Sequence, residues 1–235
     1  MKGKQKEWKR WALRGLIYFA GMWMISAGIV LCVKSDLGVS PISSVPYVLS
    51  LASSMTLGTY TMLFHYMNTL FQYITEKKLW NPQVLLQIPI ASVFGWMIDF
   101  LKSRCTFPVT SLETQILCLV FSIFFTAFGM VFMVNMQLVQ NPPDGTVKTI
   151  SAKCCKEMGK VKIAYDCFMM LLSILLSRIL LGRVEGFGAG TICSAFFVGK
   201  TLSVLQKCAG QKLKNYIFIN KEENKNEVGI IDSNL

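Results

Sequence analysis

Residues 134–151 read VNMQLVQNPPDGTVKTIS, and 101 positions earlier residues 33–50 read VKSDLGVSPISSVPYVLS. Both stretches leave a long apolar run and set a polar residue before a proline. The first gives Asn141-Pro142-Pro143-Asp144, the second Ser40-Pro41-Ile42-Ser43. Asn or Ser suits a helix N-cap, Pro suits the first helical position because its missing N–H has no partner there, and Asp or Ser suits the third. Each stretch therefore predicts the start of a short helix.

A shift of 101 residues aligns more than this pair. Gly28 falls on Gly129, Val30 on Val131, Val33 on Val134, Leu37 on Leu138, Pro41 on Pro142 and Gly58 on Gly159. Identities between apolar residues are cheap, so the weight rests on the Gly and Pro landmarks and on the apolar runs that coincide without a gap. These runs are Leu13–Val33, Leu57–Ile74, Pro82–Leu101, Leu112–Val134, Ile163–Leu181 and Gly186–Gln206. Each is near the ~20 residues that cross a hydrocarbon core as helix. The chain is 53% hydrophobic and 16% charged, where a soluble domain carries about 25% charged residues.

A unit of three spans ends on the side opposite its start, so a copy enters with inverted topology. The expected fold is an all-α integral membrane protein of six transmembrane helices. It comprises two inverted-topology three-helix repeats, residues 13–107 and 108–210, with a short helix after spans one and four. A basic N-terminus (1–12) precedes them and a polar, disordered tail (211–235) follows. The first run is longer than the ~7–15 residues of a signal peptide and lacks a small-x-small cleavage site, so it is expected to be retained. Continuous apolar runs exclude the alternating strands of a membrane β-barrel.

The net charge of +11 suggests nucleic acid until its distribution is followed. Lys2, Lys4, Lys6, Lys9, Arg10 and Arg14 precede span one. Lys77 and Lys78 follow span two, Lys148, Lys153, Lys156, Lys160 and Lys162 follow span four, and Lys207, Lys212, Lys214, Lys221 and Lys225 follow span six. The opposite side receives fewer. Positive charge retained on the inner side places both termini in the cytoplasm and excludes a nucleic-acid partner. The partners implied are the bilayer, anionic lipid headgroups at the cytoplasmic face and a small-molecule solute; a homodimer is left open.

Eight cysteines show no metal spacing, and several lie within spans as small apolar residues. The adjacent Cys154 and Cys155 fall on the cytoplasmic side, where thiols stay reduced. No P-loop, metal-ligand set or cofactor motif is present, and a single histidine with few embedded carboxylates argues against an enzyme.

Helix N-termini offer unpaired N–H groups and partial positive charge, which favours an anion. The first start (Ser40, Pro41, Ser43, Ser44) and the second (Asn141, Asp144, Thr146) are therefore candidate solute contacts. Asp144 already places a carboxylate at its positive end, whereas Ser43 leaves the other free. Val147, Ile150, Cys154 and Met158 form one apolar face with Lys148, Lys153 and Lys156 elsewhere, which suits a helix lying on the cytoplasmic surface, with a re-entrant or cavity-lining helix as the alternative. Its twin, with Ser43, Ser44, Tyr47, Ser50 and Ser54, carries no charge and enters the membrane more readily.

Polar groups within spans are functional candidates, because a charge at the bilayer centre costs ~2.5–3.5 kcal/mol on insertion scales. His65 lies midway along span two, with Asn68 at i+3 and Tyr60 nearby; packing against a neighbouring helix would explain it equally well. Asp166 is its counterpart in the repeat. A span beginning near Met158 would centre Asp166 toward His65, and one beginning at Ile163 would leave it beside Lys162. Asp99 and Lys200 also coincide in the repeat, but at opposite depths. Asp99 is therefore expected to turn toward Lys102 and Arg104, and Lys200 toward the cytoplasm. Gly186–Gly190 (GFGAG) and the pair Gly21 and Gly28 suit close packing rather than a nucleotide.

The stretch AGIVLCVKSDLGVSP (Ala27–Pro41), with the weaker GWMIDF (Gly95–Phe100), resembles the YczE/YyaS/YitT-like bacterial integral membrane proteins. The resemblance implies a multi-pass protein of the bacterial plasma membrane. NPPDG is more proline-rich than the turn expected there. Together these features point to a secondary transporter or permease for a small solute. An aquaporin-like channel, suggested by the Asn-Pro turn, and a non-transporting assembly or regulatory protein are the alternatives.

Overall fold

The computed structural model describes residues 2–76 and 82–210, with side chains of 2–7 and 209–210 left out. Lys77, Lys78 and the polar tail from residue 211, including Lys212, Lys214, Lys221 and Lys225, lie outside the described residues. Among the described residues the secondary structure is helical, with no strand. The helices are α1 (Lys2–Ser35), α2 (Pro41–Ala52), α3 (Leu57–Glu76), α4 (Pro82–Leu85), α5 (Gln87–Arg104), α6 (Leu112–Met136), α7 (Pro142–Cys154), α8 (Met158–Leu181) and α9 (Ala189–Leu205), followed by a π-helical turn Gln206–Gly210.

Several boundaries repeat at the 101-residue shift. α2 and α7 start at Pro41 and Pro142, α3 and α8 at Leu57 and Met158, and α1 and α6 end at Ser35 and Met136. Even the turns agree: Asp36 and its counterpart Gln137 both leave their helix in the left-handed region, at φ 55° and 51°.

α1 and α6 form the spine. Gly21 lies where a Cβ would come 2.8 Å from the Gly129 carbonyl oxygen, and Gly28 lies against Ser122 and Thr126. As the α1 number rises the α6 number falls, so the two helices cross antiparallel. The glycines allow backbone-to-backbone approach, as their spacing predicts. At the end of α6, the Arg14 guanidinium donates to the Met136 carbonyl at 2.7 Å and the Tyr18 hydroxyl donates to the Val139 carbonyl at 3.2 Å.

α5 flanks α1, and α9 flanks α6. The two short helices exchange partners: α2 packs on α8, while α7 packs on α3. Both are deeply inserted. Pro41, Ser43, Ser44, Val45, Pro46 and Val48 of α2 are buried, as are Pro142, Pro143, Gly145, Thr146, Val147 and Thr149 of α7. The apolar face of α7 is thus turned into the bundle, on α3 and α8. Val147, at the centre of its apolar face, packs with Val45, Val161, Tyr165 and Met169 in one core cluster. The sequence pattern of an interfacial helix and that of a helix inserted against a neighbour are the same; only the partner distinguishes them.

Among the described residues, four stretches are long and apolar enough to cross a membrane: Trp8–Ser35, Pro82–Arg104, Leu112–Met136 and Met158–Leu181. The outside of the bundle is apolar, with Phe19, Met67, Leu70, Ile74, Trp96, Phe168, Leu171, Ile179 and Phe196 exposed, while eighteen polar or charged residues among those described are buried. A contiguous apolar exterior of this extent is not the surface of a water-soluble domain.

Candidate functional site

α3 carries the polar lining. Thr61, His65, Asn68, Thr69 and Gln72 are buried along one side, while Leu63, Met67, Leu70, Phe71 and Ile74 face outward. The spacing 61, 65, 68, 72 is that of a single helical face. An apolar outer surface around a polar inner stripe lowers the mean hydropathy of α3 without making it a surface helix.

The stripe meets α7 and α8 at a junction of three helices. The Tyr165 hydroxyl donates to Asn68 Oδ1 at 2.7 Å, tying α8 to α3. Asn68 Nδ2 donates to the Phe64 carbonyl at 2.9 Å, and the Asn68 carbonyl accepts from the Thr146 hydroxyl of α7 at 3.2 Å. Gln72 Nε2 donates to the Pro142 carbonyl at 2.9 Å. It also lies 3.2 Å from Gln87 Oε1, and Gln87 Nε2 returns a bond to Gln72 Oε1 at 3.1 Å. Thr69 donates to the same Gln87 oxygen at 3.0 Å. Gly145 leaves room for the Gln72 amide, which a Cβ there would displace. Amides and hydroxyls thus satisfy one another where water is scarce, and such groups would be costly if left unpaired.

Beside the network stands an ion triad. Lys162 Nζ is 3.1 Å from Asp144 Oδ1 and 3.4 Å from Asp166 Oδ1. Asn141 Nδ2 donates to Asp144 Oδ2 at 3.4 Å. α8 does begin at Met158, yet Asp166 joins Lys162 and not His65: a helix start fixes depth, not the face a side chain takes. His65 stacks on Phe94 of α5, with centroids 5.4 Å apart and planes at 9°, the arrangement of a packed core ring.

The predicted helix starts form as read, with Ser40 and Asn141 at the N-caps and proline at the first helical position. Neither cap side chain bonds the backbone. Instead each reaches the third helical residue: Ser40 to Ser43 at 3.1 Å and Asn141 to Asp144 at 3.4 Å. Pro142 and Pro143 together remove two N–H groups from the first turn of α7, which weakens it as an anion cradle. In α2, Ser44 donates to the Pro41 carbonyl at 2.7 Å and approaches the Met169 carbonyl at 3.5 Å, seating the turn on α8.

The structure brings Asn68, Asn141, Asp144, Thr146 and Asp166 to the α3–α7–α8 junction. Ser40, Pro41, Ser43 and Ser44 lie at the other half-helix start, and Tyr60 stays in the first turn of α3, where its N–H bonds Thr56. Gln72, Gln87 and Tyr165 escaped sequence reasoning, whereas the nearness of Lys162 to Asp166 was legible there. The signal that finds Gln72 is the 4-3-4 spacing of polar residues along an otherwise apolar helix.

An open cavity of about 240 Å³ lies at the α1–α2 end, lined by Cys32, Asp36, Gly38, Tyr47, Glu185 and Gly188 among others. The GFGAG stretch builds its wall: Val39 N–H donates to the Gly186 carbonyl at 3.0 Å and Gly190 N–H to the Leu37 carbonyl at 2.7 Å. Gly38, at φ 115°, closes on Thr191 and Gly188. These glycines serve loop-to-loop closure, not a nucleotide. Burial, reinforced by the carboxylates of Asp36 and Glu185, raises the Tyr47 phenol above its ordinary range, so it stays protonated.

A helical bundle with an apolar exterior, four apolar helices of spanning length among the described residues and polar side chains buried beside its apolar core defines an integral membrane protein. Within that class, the chain belongs to the family of unknown function DUF6198, whose match covers residues 12–207, nearly the whole described bundle. No curated protein and no solved structure matches the chain.

Proposed function

We propose that this protein is a secondary transporter or permease for a small solute, built as two inverted three-span repeats, 13–107 and 108–210. The observation that carries the proposal is the exchange of the two half-helices: α2 inserts on α8 of the second repeat, and α7 on α3 of the first. Short helices buried between inverted halves, with their first turns inside the bundle, are a recurrent way to build a solute site near the midplane. Six spans follow if α3 and α9 cross as well. α3 has 20 residues and hides its polar stripe inside, and α9 has 17.

On this reading the cavity at Asp36, Tyr47 and Glu185 is the vestibule on the outer side, and the Gln72–Gln87 amide pair closes the cytoplasmic side beneath the Pro142 turn. Asn68, Thr146 and Tyr165 line the path between them, with Ser40–Ser44 supporting the opposite half. Transport would draw on a gradient, with no ATP hydrolysis by the chain itself. Both termini face the cytoplasm in the bacterial plasma membrane, with lysines meeting anionic headgroups; the YczE/YyaS/YitT resemblance of Ala27–Pro41 supports the same location.

Reconstituted protein offered a panel of radiolabelled amino acids, vitamins and small organic ions tests this. At least one solute should accumulate or exchange, and Asn68→Ala should lower its rate at least tenfold while the melting profile stays cooperative. Flux unchanged in Asn68→Ala and Thr146→Ala would remove the path from this junction.

A further inference from the structure

The cavity beside the GFGAG loop has a charge pattern of its own. Its charged lining residues are Asp36 and Glu185, and among the described residues no lysine, arginine or histidine lines it. Asp36 follows directly on the C-terminus of α1, and Glu185 lies just beyond the end of α8. Two helix C-termini, the partially negative ends, therefore converge there. α9 begins beside the cavity with the opposite sign. Its Gly190 N–H, however, is taken by the Leu37 carbonyl at 2.7 Å, and the Gly188 N–H by Thr191 Oγ1 at 3.3 Å.

The acidic groups are held in place and left without strong partners. Ser177, fully buried, accepts from the Glu185 N–H at 2.8 Å and donates to the Arg183 carbonyl at 2.8 Å, which folds the acidic loop back on α8. A Cβ on Gly186 would stand 2.7 Å from the Tyr47 ring, so that ring lies against the loop backbone. Among the described residues the Tyr47 hydroxyl has no hydrogen-bond partner, and the Asp36 carboxylate has neither a hydrogen bond nor an ion pair. Lys34, two positions before Asp36, donates to the Phe107 carbonyl at 3.1 Å instead. Glu185 pairs with Arg183 at 2.7 Å, but the arginine side chain is 79% exposed, and a pair so open to water contributes little.

The geometry points to this cavity as a binding site for a small monovalent organic cation, its ammonium held between Asp36 and Glu185 against the Tyr47 ring. The inference rests on the transporter reading, for which it names the class of solute. Two carboxylates and one guanidinium leave one negative charge, which matches a monocation. At about 240 Å³ the cavity is smaller than the ~300–1,000 Å³ of drug-sized ligand pockets, so the occupant is small. Among the described residues no three His, Cys, Asp or Glu gather as metal ligands, which favours an organic ion over a metal ion. A zwitterionic lipid headgroup would bring its phosphate against the same carboxylates, which selects the free cation.

The test is calorimetric titration of full-length protein in detergent, which needs no flux. Choline and ethanolamine are the probes, and the alcohol in which carbon replaces the choline nitrogen is the uncharged control. At least one cation should bind saturably and about tenfold tighter than the control. Asp36→Asn should weaken it about fivefold, the range of a partly exposed charge pair. Asn accepts the left-handed backbone of residue 36 as Asp does, so the variant keeps its turn. Arg183→Gln should tighten binding about twofold or more, because Glu185 loses its competing cation; a purely structural loop would not respond in that direction. Glycerophosphocholine should bind about tenfold more weakly than choline, and equal binding would overturn the assignment to a free cation. Affinity no greater for either cation than for the control overturns the proposal. So does cation binding that is unchanged in both Asp36→Asn and Glu185→Gln. Cation binding without flux in vesicles would keep the site and remove the transporter reading; flux without cation binding would do the reverse.

Discussion

The α3–α5 pair and the α8–α9 pair occupy equivalent places in the two halves of the chain and behave differently. α3 and α5 close tightly: Gly58 and Gly95 face one another's backbone, with no room for a Cβ on either. Asp99 then reaches the start of α3, accepting from the Gly58 N–H at 2.8 Å and the Thr56 hydroxyl at 2.5 Å. In the second half the counterparts are Gly159, Phe196 and Lys200. Gly159 has no neighbour within 4 Å of a Cβ position, Phe196 is exposed, and Lys200 sits over the Phe196 ring at 5.8 Å. α9 therefore packs on α6 rather than on α8. Two residue differences, Phe196 for Gly95 and Lys200 for Asp99, accompany the change from a closed helix pair to an open one, and matching helix boundaries do not impose a shared interface.

That contrast can be broken at its strongest point. Gly95→Leu places a side chain against the Gly58 carbonyl oxygen, where even a Cβ would stand at 2.6 Å. We expect it to lower stability by about 3 kcal/mol, as overpacking of a tight contact does, read from thermal unfolding in detergent. Gly159→Leu should change stability by no more than ~0.5 kcal/mol, the usual range for open positions. Similar losses from both would show that the two pairs are not as different as the packing implies.

Asp99→Ala should cost about 1–2 kcal/mol, since it removes the acceptor that satisfies the first turn of α3. Lys200→Ala, its counterpart, should be nearly silent in the same assay. The sequence places Asp99 toward Lys102 and Arg104, but it reaches back to α3, because unpaired helix N–H groups there outcompete exposed cations.

Much of this architecture is legible from residues alone. The proline-bearing turns give the starts of α2 and α7, the 101-residue shift pairs the helices, and Gly21 and Gly28 announce the spine. The insertion of α7 is not legible, because Val147 and Ile150 describe an apolar face without naming its partner. Nor are Gln72 and Gln87 as a pair: neither is ionisable, and they meet only once α3 and α5 have packed. Asp166 illustrates the limit from the other side. Its proximity to Lys162 follows from i,i+4 spacing, but the contribution of Asp144 from α7 needs the fold.

A smaller effect sharpens the comparison of the two half-helices. Tyr165→Phe leaves Asn68 Oδ1 without its donor and should cost about 1 kcal/mol, the usual net value of a buried hydrogen bond. Ser44→Ala, at the α2 side, should cost less, because the hydroxyl bonds carbonyls that already have helical partners. A larger loss from Ser44→Ala than from Tyr165→Phe would move the centre of the polar network from α7 to α2.

The most direct test of the inverted arrangement uses Asp36 and Gln137, counterparts in the repeat, both exposed and both in left-handed turns. In a cysteine-free background, Asp36→Cys and Gln137→Cys are treated separately with a membrane-impermeant maleimide, on intact cells and again after permeabilisation. The account predicts that Asp36→Cys is labelled on intact cells, and Gln137→Cys only once the membrane is opened. Labelling of both from the same side would contradict it.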